Sequence, residues 1–205
     1  MSSITQIMYF KISNDRASEP NQSISELATR ASTMCGETEG LTEVYIGHET
    51  EDPSNAFWVF EWASKSAHDT HLHSDTLKVA REVVRPLFAS KPSHTIVEFP
   101  NTKGIFSAPV TEFVTFTLKE GVTMDKLEPF VNQLQNGLIG TQKFYGSSWA
   151  PVIDKPNVYY GVLGWESVQA HWDAVSSGPL KEIIDQVKGI ADLWLVHAKL
   201  TPHNA

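Results

Sequence analysis

The chain has 205 residues, enough for one large domain or two of about 100 residues each. With 41% apolar, 10% aromatic and 20% charged residues it reads as a compact globular protein, not a disordered or fibrous one. Twenty-four acidic residues against sixteen basic ones give a formal net charge of −8, which repels phosphate backbones and argues against a nucleic-acid partner.

The first predicted strand is ITQIMYFKI, Ile4 to Ile12. A helix follows over SISELATRASTM, opened by a Ser23-x-x-Glu26 capping box and carrying Leu27, Ala31 and Met34 at helical spacing. LTEVYIGHE and AFWVFEW are rich in β-branched and aromatic residues and read as paired strands joined through Asp52, Pro53, Ser54 and Asn55. After Ser64 a helix places Leu77, Ala80, Val84, Leu87 and Phe88 at intervals of three and four, and HTIVEF closes the first half. FPNTKGIFSAP interrupts regular structure with Pro100, Gly104 and Pro109 and reads as a linker. The order then repeats: TEFVTFTL, a helix from about Asp125 to Asn136, TQKFYGSSWA, NVYYGVLGW, a further helix, and DLWLVHAKL.

The repeat is also legible letter by letter. WASKSAHDTHLHSDTLK from Trp62 and WESVQAHWDAVSSGPLK from Trp165 share seven of seventeen residues, where average residue usage gives roughly one. A period of about a hundred residues exceeds that of stacked solenoid repeats and indicates a duplicated domain. The expected division is a first unit over 1–100, a linker over 101–110 and a second unit over 111–205. Each half, read as strand, helix, strand, strand, helix, strand, predicts a ferredoxin-like βαββαβ unit in an α+β fold. In FWVFEW, Trp58, Phe60 and Trp62 alternate with Phe57, Val59 and Glu61, so both sheet faces are largely apolar and both need cover. Helices cover one; the expectation for the other is the twin unit, packed sheet to sheet within one chain.

The motif Trp-x-Ser-x-x-Ala-His at a strand end, followed by Ser74-Asp75 or Ser177-Gly178-Pro179 ahead of Leu-Lys, resembles the dimeric α+β barrel superfamily, especially its antibiotic-biosynthesis monooxygenase-like branch. The resemblance spans nearly the whole chain and implies a tandem fusion of two such units, each of which is ordinarily a separate chain that pairs through its sheet. It also implies a ligand lying between each sheet and its own helices. On that basis Gln6, Met8, Trp58 and Phe60 face the first pocket, and Tyr159, Gly161, Leu163 and Trp165 form the matching set in the second half.

His71 is the first catalytic candidate: the resemblance places it at a position that projects into the pocket, and the second copy has Ala174 there. An imidazole titrating near neutrality suits removal of a phenolic or activated carbon proton. His68, repeated as His171, is a secondary candidate, and its bland reading is a helix-start residue bonded to neighbouring polar groups. For the histidines of HDTHLH the alternative is simple solvation. Gln6 suits orienting a substrate oxygen, and Trp58 with Phe60 suits stacking on a flat ring. No metal site is expected; His68, His71 and Asp75 on one helical face are a weak ligand trio without a separate donor. Where haem-degrading relatives carry an axial histidine the chain has Arg81 and Ile184, and it lacks nucleotide-binding glycine motifs and the serine-hydrolase elbow, so no cofactor is expected.

These readings converge on a cofactor-independent monooxygenase or cyclase acting on an aromatic or polyketide-like small molecule. The alternatives are a non-catalytic ligand-binding or stress-associated barrel protein, or a structural pseudo-dimer that assembles further as a homo-oligomer. The only cysteine, Cys35, suits a reducing compartment, and MSSITQIMYFKIS has neither a basic start nor a long apolar run, so the expectation is a cytoplasmic protein without membrane contact.

Overall fold

The repeated serines start the repeated helices. Ser64 and Ser167 both have extended backbone and accept a hydrogen bond at Oγ from the amide three residues on, Ala67 and Ala170, at 3.1 Å each. These are N-caps, each satisfying one of the otherwise unpaired first-turn amides. The histidine one position further on then turns inward: His68 and His171 are buried, with ring centres 5.5 and 5.3 Å from Trp62 and Trp165. The shared motif is therefore a strand-to-helix joint in which Trp and His pack together under a capped first turn.

The computed structural model describes residues 3–13, 26–31, 33 and 38–203. Ser23 of the capping box, Met34 and Cys35 lie outside the described residues. The chain divides into two units, Met1–Glu98 with Ala198–Ala205, and Phe99–His197.

In the first unit β1 (Ile4–Lys11) is followed by helical residues 26–31 (α1), β2 (Leu41–Glu49), β3 (Asn55–Trp62), α2 (Lys65–Leu72), α3 (Asp75–Val84) and β4 (Ser93–Val97). The strand order is β4-β1-β3-β2, antiparallel, and residues 198–202 at the chain's end pair with Glu49 to Tyr45 of β2. Where the sequence reads a single helix after Ser64, the structure has two. His73 ends α2, and Ser74, extended and accepting from the Leu77 amide at 3.1 Å, caps α3. A competing cap inside an apolar periodic run breaks the helix because the serine hydroxyl satisfies the new first turn.

The second unit contains β5 (Val110–Leu118), α4 (Met124–Leu138), β6 (Phe144–Val152), β7 (Lys155–Trp165), α5 (Val168–Val175), α6 (Gly178–Ile190) and β8 (Ala191–Pro202), the last shared with the first unit beyond His197. Its order, β8-β5-β7-β6, reproduces that of the first unit position for position. Details repeat too: register shifts fall between Leu41 and Glu43 and between Phe144 and Gly146, and Gly40 and Lys143, just before them, both have positive φ (79° and 66°). Each of these left-handed residues accepts from the amide after the tryptophan strand, Ala63 and Glu166. The segment read as a linker contributes to the second unit, where Phe106 stacks on Phe113 at 6.3 Å and Thr111 Oγ1 donates to the Ile105 carbonyl.

The helices bury the face expected from their spacing. Leu127, Val131, Leu134 and Leu138 of α4 pack with Val114, Phe116, Trp149 and Val187. In the first unit Leu27, Ala28, Val84 and Leu87 pack with Met8, Phe10, Ile46 and Trp58. Phe57 and Val59, on the other face of β3, are also fully buried, so the alternation of FWVFEW hides both faces. Among the described residues no helix is long and apolar enough to cross a membrane.

Candidate functional site

Between the sheet and helices of the first unit lies a cavity of about 140 Å³. β1 supplies Gln6 and Met8, β3 supplies Trp58, Phe60 and Trp62, α2 supplies His71, α3 supplies Ala80, Arg81 and Val84, and β4 supplies His94. The in-phase residues of β3 arrive on one wall because a strand alternates, and His71 arrives opposite because α2 is anchored at Ser64. Arg81 and His94 line the cavity but are also exposed, which puts them at its mouth, whereas Gln6, Trp58 and Trp62 are buried.

Five of the candidates named from sequence, Gln6, Met8, Trp58, Phe60 and His71, are thus brought to one cavity. His68 is not among its lining residues: it is buried against Trp62, its Nδ1 lies 2.9 Å from Asp69 Oδ1, and its Nε2 has no hydrogen-bond partner. Tyr159 stands in the other unit, half-buried against the core there and away from the lining of that unit's cavity. His68, His71 and Asp75 do not form a ligand cluster; Asp75 is exposed and paired with Lys78.

The polar lining is basic. Among the described residues no aspartate or glutamate lines the first cavity, although the chain carries a net charge of −8, while Arg81, His71, His94 and His203 do. Burial pushes the His71 pKa below the ordinary histidine value, and the nearby His68 and Arg81 push it further the same way. His94 is lowered by burial, then by Arg81, Lys91 and His68. Both imidazoles are therefore neutral at pH 7 and able to accept a proton. Gln6 Nε2 lies 3.4 Å from His94 Nδ1. The indole Nε1 atoms of Trp58 and Trp62 are buried without an acceptor, two donors whose desolvation a ligand oxygen at this site would offset.

The second unit has a smaller cavity of about 50 Å³, lined by Glu112, Phe116, Trp149, Leu163, Trp165 and His171 among others. One exchange distinguishes the two walls. Ile46 pairs with Trp58 across β2 and β3, whereas at the equivalent pair of β6 and β7 Trp149 faces Gly161. The Trp149 ring occupies the space a side chain at 161 would need, since a Cβ there would lie 2.4 Å from Cε3 and Cζ3. Ile184 stands where α3 has Arg81, so the basic mouth is missing as well.

Four polar residues, His94, His197, Glu112 and Arg81, are not picked out as site residues by the sequence reading. His94 and His197 are 103 residues apart, the same interval as Trp62 and Trp165, so the repeat itself marks them. Gln6 and Glu112 occupy equivalent register positions, opposite Phe60 and Leu163. Glu112 Oε2 accepts from Trp165 Nε1 at 2.8 Å, and His171 Nδ1 lies 2.9 Å from His197 Nε2. Burial, with His197 alongside, pushes the His171 pKa down to about 3. Arg81 enters the sequence reading only as a missing haem ligand, not as a group lining the cavity mouth.

No protein-family model and no curated protein sequence matches the chain. Solved structures do. A candidate monooxygenase from Fusobacterium nucleatum superposes with a TM-score of 0.74 at 10% identity, over 99% of this chain and 94% of that one. An anthrone oxidase-like protein gives 0.72 at 11% identity over 100% and 94%. A candidate monooxygenase from Lactobacillus acidophilus gives 0.65 at 16% identity over 100% and 95%. The chain thus has the fold of these three proteins, carried by two βαββαβ units in one polypeptide.

Proposed function

We propose that the first unit's cavity carries out a cofactor-independent oxygenation of a small aromatic molecule with an ionisable phenolic or enolic oxygen, polyketide-derived rings being one such class. The observation that carries this reading is the meeting of a neutral, half-buried His71 with Arg81, His94 and Gln6 inside a hollow walled by Trp58, Phe60 and Trp62. A cavity of about 150 Å³ accepts a benzene-sized guest, so a volume of about 140 Å³ takes one ring and leaves larger parts of the substrate at the mouth. The aromatic walls suit offset or edge contacts with that ring, as Trp58 and Phe60 already make with each other at 6.4 Å.

His71 accepts the proton of an activated C–H or O–H group, and the developing oxyanion is stabilised by the guanidinium of Arg81 and by the unpartnered indole donors. The resulting carbanion reduces dioxygen. For an activated methylene the balance is one CH₂ and one O₂ giving a hydroperoxide at that carbon, which loses one water to leave a C=O. Substrate supplies the electrons, dioxygen supplies the oxygen atom, and the proton held by His71 leaves with the water. The second unit, with Ala174 in place of His71 and a smaller cavity, serves as scaffold for this reaction.

The test is oxygen uptake by the full-length chain with hydroxylated monocyclic and anthrone-type compounds, without added flavin or metal. Uptake with stoichiometric ketone formation supports the reading. Conversion without oxygen uptake indicates ring closure instead. Thermal stabilisation by a compound that is recovered unchanged indicates a binding protein. The rate is expected to rise with pH through a midpoint below about 6.5 and then level off, because the unprotonated imidazole is the active form and its pKa is lowered. Arg81→Ala removes one of the causes of that lowering and is expected to move the acid limb of kcat/KM toward higher pH while weakening substrate binding; an unmoved profile counts against His71 as the titrating base.

A further inference from the structure

Within the second unit, Glu112 of β5, His171 of α5 and His197 of β8 converge, all three buried, with one donor atom from each lying within 4.8 Å of the others. Imidazole nitrogens bound to one Zn²⁺-type ion at about 2.0–2.1 Å stand roughly 3–4 Å apart. His171 Nδ1 and His197 Nε2 are already 2.9 Å from each other. Glu112 Oε2 is 3.7 Å from Nε2, the other nitrogen of the His171 ring, and one donor atom from each of the three residues lies within the span a single ion bridges after small side-chain adjustments. Trp165 Nε1 donates to that carboxylate at 2.8 Å, the kind of outer hydrogen bond that orients a ligating group.

The first unit provides the internal comparison. Gln6, His68 and His94 hold the equivalent places, but Gln6 is neutral, His68 turns to Asp69, and these residues form no ligand cluster. A structural hydrogen-bond network needs only donors and acceptors, which glutamine supplies as well as glutamate. Two imidazoles with one carboxylate are instead the donor set that divalent transition ions take. Glu112 and His171 also line the cavity of about 50 Å³, which leaves room beside them for a water as a further ligand.

We propose that Glu112, His171 and His197 bind one divalent transition-metal ion of the Zn²⁺ class, with an open coordination position toward the second unit's cavity. The site is separate from the oxygenation assigned to the first unit and stands or falls without it.

The experiment uses the full-length chain, stripped with chelator, titrated with Zn²⁺ by calorimetry and with Co²⁺ by visible absorption. One ion per chain, the intense ligand-field bands of four- or five-coordinate Co²⁺, and a raised melting temperature with Zn²⁺ are expected. Glu112→Gln, which copies the first unit, and His197→Gln are each expected to weaken binding by more than the ~10–100-fold that loss of an outer-shell partner costs. His73→Ala, an exposed histidine outside both cavities, is expected to leave binding unchanged. Absence of uptake at micromolar Zn²⁺, or wild-type affinity in the Glu112→Gln and His197→Gln chains, overturns the proposal. Should either variant fail to show a cooperative melt, the wild-type Co²⁺ spectrum decides: weak bands of a water-coordinated, six-coordinate ion count against the site.

Discussion

His71→Ala is expected to lower turnover by about 10²–10⁴-fold, the usual cost of losing a general base, while leaving the fold in place. The fold should survive because the elements that anchor α2 are other residues. Ser64 caps its first turn, and His68, not His71, is the side chain buried in the joint with Trp62. His71 touches Trp62 through a tilted ring contact with centres 5.2 Å apart, so its removal enlarges an existing hollow instead of opening a sealed core. Matching far-ultraviolet dichroism and melting curves, read beside oxygen uptake, separate a lost base from a lost structure. Unchanged turnover in the alanine variant would take His71 out of the chemistry and leave His94 as the imidazole to test.

The largest stability effect is expected at Gly47. On β2 it pairs with Leu200, and a Cβ added there would sit 1.9 Å from the Lys199 carbonyl oxygen and 2.8 Å from its carbon. Those are backbone atoms held in the ladder, so no side-chain rotation relieves the clash. Gly47→Ala should therefore cost at least the ~1–3 kcal/mol typical of overpacking, through loss of pairing between β2 and residues 198–202. Gly104 is the control: its φ is 80° but nothing lies within 4 Å of an added Cβ. Its alanine variant should lose only the ~1–2 kcal/mol of a left-handed non-glycine residue. Chemical denaturation of the two variants checks the order; a Gly47→Ala chain as stable as wild type would mean that β2 and the terminal segment do not pair this closely.

The repeat made the fold legible. Trp62 and Trp165, the capping serines and the inward histidines encode the same joint twice, and strand alternation in FWVFEW foretold which side chains share a wall. The break between α2 and α3 was harder to read, because Ser74 within an otherwise helical apolar period looks like a tolerated polar residue until its hydroxyl is seen to accept from Leu77. The cavity was legible where lining follows from strand phase, as for Trp58 and Phe60, and from the difference between copies, as for His71 and Ala174. Arg81 and His94 come from a helix and a strand remote in sequence from β1 and β3, and periodicity says nothing about which of their neighbours they meet at a cavity mouth. Tyr159 shares the strand phase of Leu163 and Trp165, yet it is absent from the small cavity's lining, a placement that alternation alone does not predict.

The reciprocal placement of tryptophan, on β3 in one copy and on β6 in the other, has an evolutionary corollary. Each strand pair carries one tryptophan, beside Ile46 in the first unit and beside Gly161 in the second, where the missing Cβ leaves room for the ring. The two copies have thus diverged in which strand of this pair carries the ring, and the second copy has no room for a side chain at 161 while Trp149 keeps its place.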